Sequence, residues 1–224
     1  MKIFFFIIVL FLLFSCTKNY REGKPNAVSS KQLSQKEIAN RSALILDPID
    51  YVRWVNEKEN NLVFQKSIDN IQFSILFKPI DYIICKELRK DQISEAEYEN
   101  IKSQLGDLQY FDLRVKVNGF NEEFLKYNLS SSSDYDRKVN YCAFQMQSDI
   151  KIVEGLDTIP CSLFHFERAF DVVPYGEFIL GFEKSNRPAK EKTFILYDKI
   201  FNKGIVKFTF DVSNITHLPK LRTI

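Results

Sequence analysis

The sequence predicts a mostly β protein, an antiparallel β-sandwich with one or two short helices. From Leu62 onward, apolar and polar residues alternate with period two in run after run. Strands that bury one face and wet the other have this pattern. The runs follow one another at short spacing without helical segments regularly between them, which argues for stacked antiparallel sheets rather than a parallel α/β arrangement.

Taken in order, the first element is a helix. Ser34 and Glu37 form an S-x-x-E capping box, and Leu33 and Ile38 stand at the two staple positions. This helix should end before Asp47-Pro48, because a residue preceding proline avoids the helical region. Ile71, Phe73, Ile75 and Phe77 alternate with Gln72 and Ser74 as a strand. A second capping box, Ser94 and Glu97 with Ile93 and Tyr98 as staple, starts a helix whose Tyr98, Ile101 and Leu105 share a face and whose stop is Gly106. Phe111, Leu113, Val115 and Val117 make the next strand, ending at Asn118-Gly119. Ser130 to Ser133, followed by Asp134, Asp136, Arg137 and Lys138, reads as a polar loop, and Cys142, Phe144 and Met146 read as a strand after it. Phe178, Leu180 and Phe182, then Val206, Phe208 and Phe210, complete the set of alternating runs.

The N-terminus carries a different signal. Lys2 precedes an uncharged apolar run, Ile3 to Phe14, which is shorter than the roughly 20 apolar residues a membrane-spanning helix needs. The run closes on Leu13-Phe14-Ser15-Cys16, which resembles the lipobox of bacterial lipoproteins: an aliphatic residue at −3, a small one at −1, then cysteine. The resemblance implies that residues 1–15 are a lipoprotein signal peptide, and that lipidation falls on Cys16, which becomes the first residue of the mature chain. The membrane is then a partner through lipidated Cys16. A plain secretory signal or a short membrane helix is the alternative, but a small-residue cleavage site of the A-x-A kind is missing. Residues 16–32 are polar and read as a flexible tether, and residues 33–224 as a single β-rich globular domain. Tyr51-Val52-Arg53-Trp54-Val55, Glu59 to Leu62, Lys78 to Tyr82 and Pro160 to Arg168 further resemble uncharacterised lipoproteins of Bacteroidota.

Charge and motifs narrow the function classes. Lys and Arg number 31 against 29 Asp and Glu, so no strong field favours nucleic acid, and no nucleic-acid partner is expected. G-x-S-x-G, H-E-x-x-H, Gly-rich phosphate-loop and EF-hand patterns are missing. Seven glycines and two histidines leave little for a nucleotide cradle or a multi-histidine metal centre, so no cofactor and no metal site are assigned. Cys85, Cys142 and Cys161 each lie in an apolar run and read as free core thiols, one disulfide plus an odd thiol being the alternative. Tyr51, Trp54, Phe64, Tyr82 and Tyr110 read as core aromatics, with a carbohydrate platform as the alternative.

The densest group of reactive side chains is Pro160 to Arg168. As a strand it turns Phe164 and Phe166 inward and leaves His165 and Glu167 on the other face, about 7 Å apart. His165, Glu167 and Arg168 are therefore the candidate binding residues. Asp157-Thr158-Ile159 resembles a short acceptor motif for O-glycosylation known in Bacteroidota, with Thr158 as the modified residue. The expectation is a lipid-anchored cell-envelope lipoprotein that acts without catalysis, binding or assembling with an envelope protein or glycan. An envelope hydrolase or metal-dependent enzyme centred on His165 and Glu167 is the alternative. After Cys16 the chain reads Thr17-Lys18-Asn19-Tyr20-Arg21, without early acidic residues. Surface-exported lipoproteins of Bacteroidota resemble one another in carrying such acids, so an outer-membrane lipoprotein facing the periplasm is expected.

Overall fold

The computed structural model of the protein describes residues 28–224. The expected signal peptide, Cys16 and the expected tether as far as residue 27 lie outside the described residues. Part of the remaining tether is built into the domain. Val28–Ser29 form an edge strand, β1, and Ser30 N–H donates to the Thr209 carbonyl at 3.0 Å.

The protein is mostly β. Its main sheet holds β1 with β3 (Val63–Ile68), β4 (Ile71–Lys78), β5 (Gln109–Val117), β6 (Ile150–Glu154), β7 (Asp157–Glu167), β8 (Tyr175–Phe182), β9 (Glu191–Asp198) and β10 (Gly204–Asp211). The lateral order is β1-β10-β9-β6-β7-β8-β5-β4-β3. Every neighbouring pair is antiparallel except β1, which runs parallel to β10 with Val28 beside Phe208. A two-residue pair, β2 (Ile45–Leu46) with β11 (Lys220–Leu221), stands apart.

The two faces of the expected sandwich belong to one curled, nearly closed sheet. Strand β7 joins them. Its first residues, Asp157–Pro160, pair with β6, and from Cys161 on, with an irregularity between Cys161 and Leu163, it pairs with β8. Strands at opposite ends of the lateral order then face each other across an aromatic interior. Phe64 of β3 meets Phe210 of β10 edge-on at 4.6 Å between ring centroids, and Phe111 touches Phe182 and Phe210 at 5.7 and 5.6 Å. The period-two rule sorts the strands as expected. On β5, Leu113, Val115 and Val117 are buried while Arg114 and Lys116 are exposed.

Beyond Cys161, β7 parts from the short β6, and a helix fills the gap. This is α5 (Ser132–Phe144), which replaces the polar loop and the Cys142-Phe144-Met146 strand that the sequence suggested. Two causes favour the helix. The Ser131 hydroxyl accepts from Asp134 N–H as an N-cap, so Ser130 to Ser133 start a helix instead of spanning a loop. Tyr135, Val139, Cys142 and Met146 recur at helical spacing and pack on the core, whereas Phe144, inward on the strand reading, is 81% exposed.

Other helices close the end of the sheet where β3, β5, β7 and β9 begin. Two of them, α1 (Gln35–Ala43) and α4 (Glu95–Leu105), carry the complete capping boxes of Ser34 with Glu37 and Ser94 with Glu97. The one or two helices expected are corrected to six among the described residues, the others being α2 (Pro48–Asn56), α3 (Ile80–Leu88) and α6 (Val212–Thr216). Asp47-Pro48, read only as a stop, also starts α2, because proline at the first helical position has no hydrogen bond to lose. No helix among the described residues is long and apolar enough to cross a membrane.

Candidate functional site

The reactive residues singled out on β7 are dispersed. His165 and Glu167 point to solvent from the convex face, and both are exposed. Ile179 lies opposite His165, and Glu177 lies opposite Glu167. Glu177 is itself held by Arg114, whose Nη2 and Nε approach Oε1 at 2.7 and 3.0 Å. Among the described residues no three His, Cys, Asp or Glu side chains converge on a common point. Thr158 is exposed near the β6–β7 turn, and Asp157 beside it accepts from Ser185 and pairs with Arg187.

Arg168 turns away from His165 and Glu167. Its Nε lies 3.5 Å from Oε1 of the buried Glu123, its Nη2 donates to the Tyr135 hydroxyl, and Tyr135 donates to Glu123 Oε2 at 2.6 Å. The guanidinium also covers the Phe170 ring at 4.3 Å. Asp171 follows in the same turn, accepting from Glu123 N–H at 3.0 Å and Lys126 Nζ at 2.6 Å. The Lys126 bond, followed by that of the backbone amide, holds the Asp171 carboxyl below its ordinary range. Arg168 thus fastens α5 and the segment before it to the β7–β8 turn.

Cys85, Cys142 and Cys161 are buried and free, as their apolar settings suggested. Burial pushes the thiols of Cys85 and Cys161 up to about 12 and raises Cys142 as well.

The main concavity lies at the end of the sheet opposite α1 to α4 and α6 and was not foreseen. It is a groove of about 790 Å³ between α5 and the β9–β10 turn. The turn is fixed from inside. Asp198, 4% exposed, accepts the backbone N–H groups of Ile200, Phe201 and Lys203 at 3.0, 3.3 and 3.0 Å. Burial raises the Asp198 carboxyl, and these three bonds oppose the rise. Held this way, the turn presents Lys199, Phe201, Asn202 and Lys203 to the groove.

The facing wall is α5 with the segment before it. Lys138 donates to the Tyr127 carbonyl at 2.7 Å and lies 5.2 Å above the Phe201 ring, binding wall to turn. Burial lowers the Lys138 ammonium from its ordinary range. Asn70 donates to the Tyr127 hydroxyl at 2.8 Å, which ties the β3–β4 turn to the same wall. Four cations line the groove (Arg137, Lys138, Lys199 and Lys203) against one lining carboxylate, Asp134. Lys199 leans on Asp149 at 2.7 Å, Lys203 on Asp69 at 2.6 Å, and Arg137 pairs with Asp134. The sequence held a usable signal in Asp198-Lys-Ile-Phe-Asn-Lys-Gly, a charged turn between two alternating runs. The opposing wall was hidden because α5 was read as loop and strand.

Comparison of the chain with protein-family models, with curated proteins and with solved structures finds no match.

Proposed function

We infer that the chain is a lipid-anchored cell-envelope protein that works by binding, through the polar groove at the turn-rich end of its sheet. The anchor rests on Leu13-Phe14-Ser15-Cys16 after an apolar run of signal-peptide length. One observation carries the binding role. The groove combines a preformed turn, several cations and a volume within the roughly 300–1,000 Å³ of ligand sites, while His165 stands exposed on an open face. In this reading the anchor holds the protein at the outer membrane facing the periplasm, and the partner is an envelope protein or glycan.

Three measurements test the reading. Cys16→Ala should abolish labelling by a lipid precursor and release the domain from the membrane fraction; an unmodified Cys16 in the mature native chain would refute the anchor. Protease added to intact cells should spare the domain and digest it only after the outer membrane is permeabilised. Crosslinking in intact envelopes should capture a partner through residues of α5 or the β9–β10 turn, and crosslinks confined to the convex face around His165 would move the site there.

A further inference from the structure

We propose that the groove is a site for an acidic oligosaccharide, a ligand with several hydroxyls and separated negative charges. The proposal rests on the reading of the chain as a binding protein and names the ligand of that groove. Its cations stand on different elements and each leans on its own acceptor: Arg137 on Asp134, Lys138 on the Tyr127 carbonyl, Lys199 on Asp149 and Lys203 on Asp69. Arg137 stands on α5, Lys199 and Lys203 flank the β9–β10 turn, and asparagine amides share the lining. Of these amides, Asn128, Asn140 and Asn202 bond no other described residue through their side chains, and all three are exposed. Asn128 and Asn202 adopt left-handed backbone (φ 54° and 56°), a conformation asparagine tolerates better than most residues.

The chemistry of such a lining is specific. An amide offers a donor and an acceptor at once, which suits vicinal hydroxyls, while a lone anion uses only the donor. Most small-molecule sites are chiefly apolar, so a groove this rich in amides, tyrosines and ammonium groups selects a ligand that is polar along its length. The cations are available at little cost. The Lys199–Asp149 and Arg137–Asp134 pairs are solvent-exposed on the cation side, where a competing anion can reach the cation. A ligand carboxylate can therefore replace the internal partner. Asp198, in contrast, stays buried and keeps the turn in place when the lysines are re-paired.

The test uses the full chain solubilised from envelopes and titrated by calorimetry with trigalacturonate and a doubly phosphorylated trisaccharide, each beside its neutral counterpart. At least one acidic sugar should bind, with its neutral counterpart weaker by roughly tenfold or more, the scale of a lost charge-assisted contact. The double variant Arg137→Gln/Lys199→Gln should lose affinity by a similar factor while keeping the wild-type thermal midpoint. Raising salt should weaken the acidic sugar and leave any neutral binding unchanged. Equal binding of acidic and neutral forms, full competition by inorganic phosphate at equal charge, or an unaffected double variant would each overturn the proposal. If no sugar binds and envelope crosslinking still captures a protein through α5, the saccharide assignment fails while the binding role stands.

Discussion

At the scale of single residues, the sharpest constraints come from close packing and from buried charge. Gly176 on β8 faces the ring of Phe124, which is fully buried against Phe166 and Phe178. A methyl group there would overlap Phe124 Cε1 and Cζ. Gly176→Ala should therefore cost about 1–3 kcal/mol through overpacking, read as a lower urea midpoint at unchanged slope. Arg168 is predicted to act on stability before binding. Arg168→Ala leaves Glu123 in the interior without its cation, and the loss should be about 2–3 kcal/mol, below the ~3–5 of a fully enclosed pair because Arg168 is partly exposed. The three thiols should resist alkylation in the native state and react together on unfolding, since the nucleophile is the thiolate that burial suppresses. Rapid native labelling of Cys142 would contradict its position under α5.

At the scale of elements, the caps set where helices start, and one of them sets a pH response. Glu97 in the α4 capping box is held down to about 2 by its bond to Lys90, then by the Ser94 hydroxyl and backbone amide. Its folded value lies below the ordinary 4.5, so its contribution is complete above about pH 4.5 and is lost as pH falls through 2. Ser94→Ala should remove about 1 kcal/mol but only part of this acid dependence, since the Lys90 bond and the Ser94 backbone amide remain, measured as the midpoint against pH. The two capping boxes and the strands β4, β5, β8 and β10 were legible because each follows from spacing within a few residues. The gap filled by α5 was not, since it depends on β7 leaving β6 after Cys161, a pairing between distant segments. For the same reason the turn at Asp198 could be seen in sequence as a turn but not as one wall of a groove. Nor could local sequence show that Arg168 belongs with Glu123, 45 residues earlier, rather than with His165 on its own strand.

At the scale of the whole molecule, β7 makes the two halves of the sheet one cooperative unit. Two sandwich layers joined only by loops can lose protection separately, whereas here one strand hydrogen-bonds into both halves. Hydrogen exchange should therefore give amides of β9 and of β5 the same opening free energy, the global one. Two distinct plateaus, one per half, would show that the bulge at Cys161 uncouples them. The helices that close one end leave the other to turns and α5, and this asymmetry separates the proposed groove from the helix-closed pole. The buried aromatic interior tolerates little, while the rim of Asn128, Asn140 and Asn202 can change with small effect on folding.

The parallel pairing of β1 with β10 has a consequence for where recognition takes place. Because Val28 lies beside Phe208 and both strands run the same way, β1 begins on the side of Gly204, the side of the β9–β10 turn that lines the groove. About 12 residues separate Cys16 from Val28, a leash of at most roughly 40 Å when fully extended. With Cys16 acylated as proposed, the groove is kept within a thin shell above the bilayer instead of sampling the bulk. For a ligand carried on that same membrane, a short leash turns encounter into a nearly intramolecular event at effective concentrations of about millimolar. A site with only modest intrinsic affinity would then remain occupied, and lengthening the leash should weaken capture at the membrane while leaving affinity in detergent unchanged.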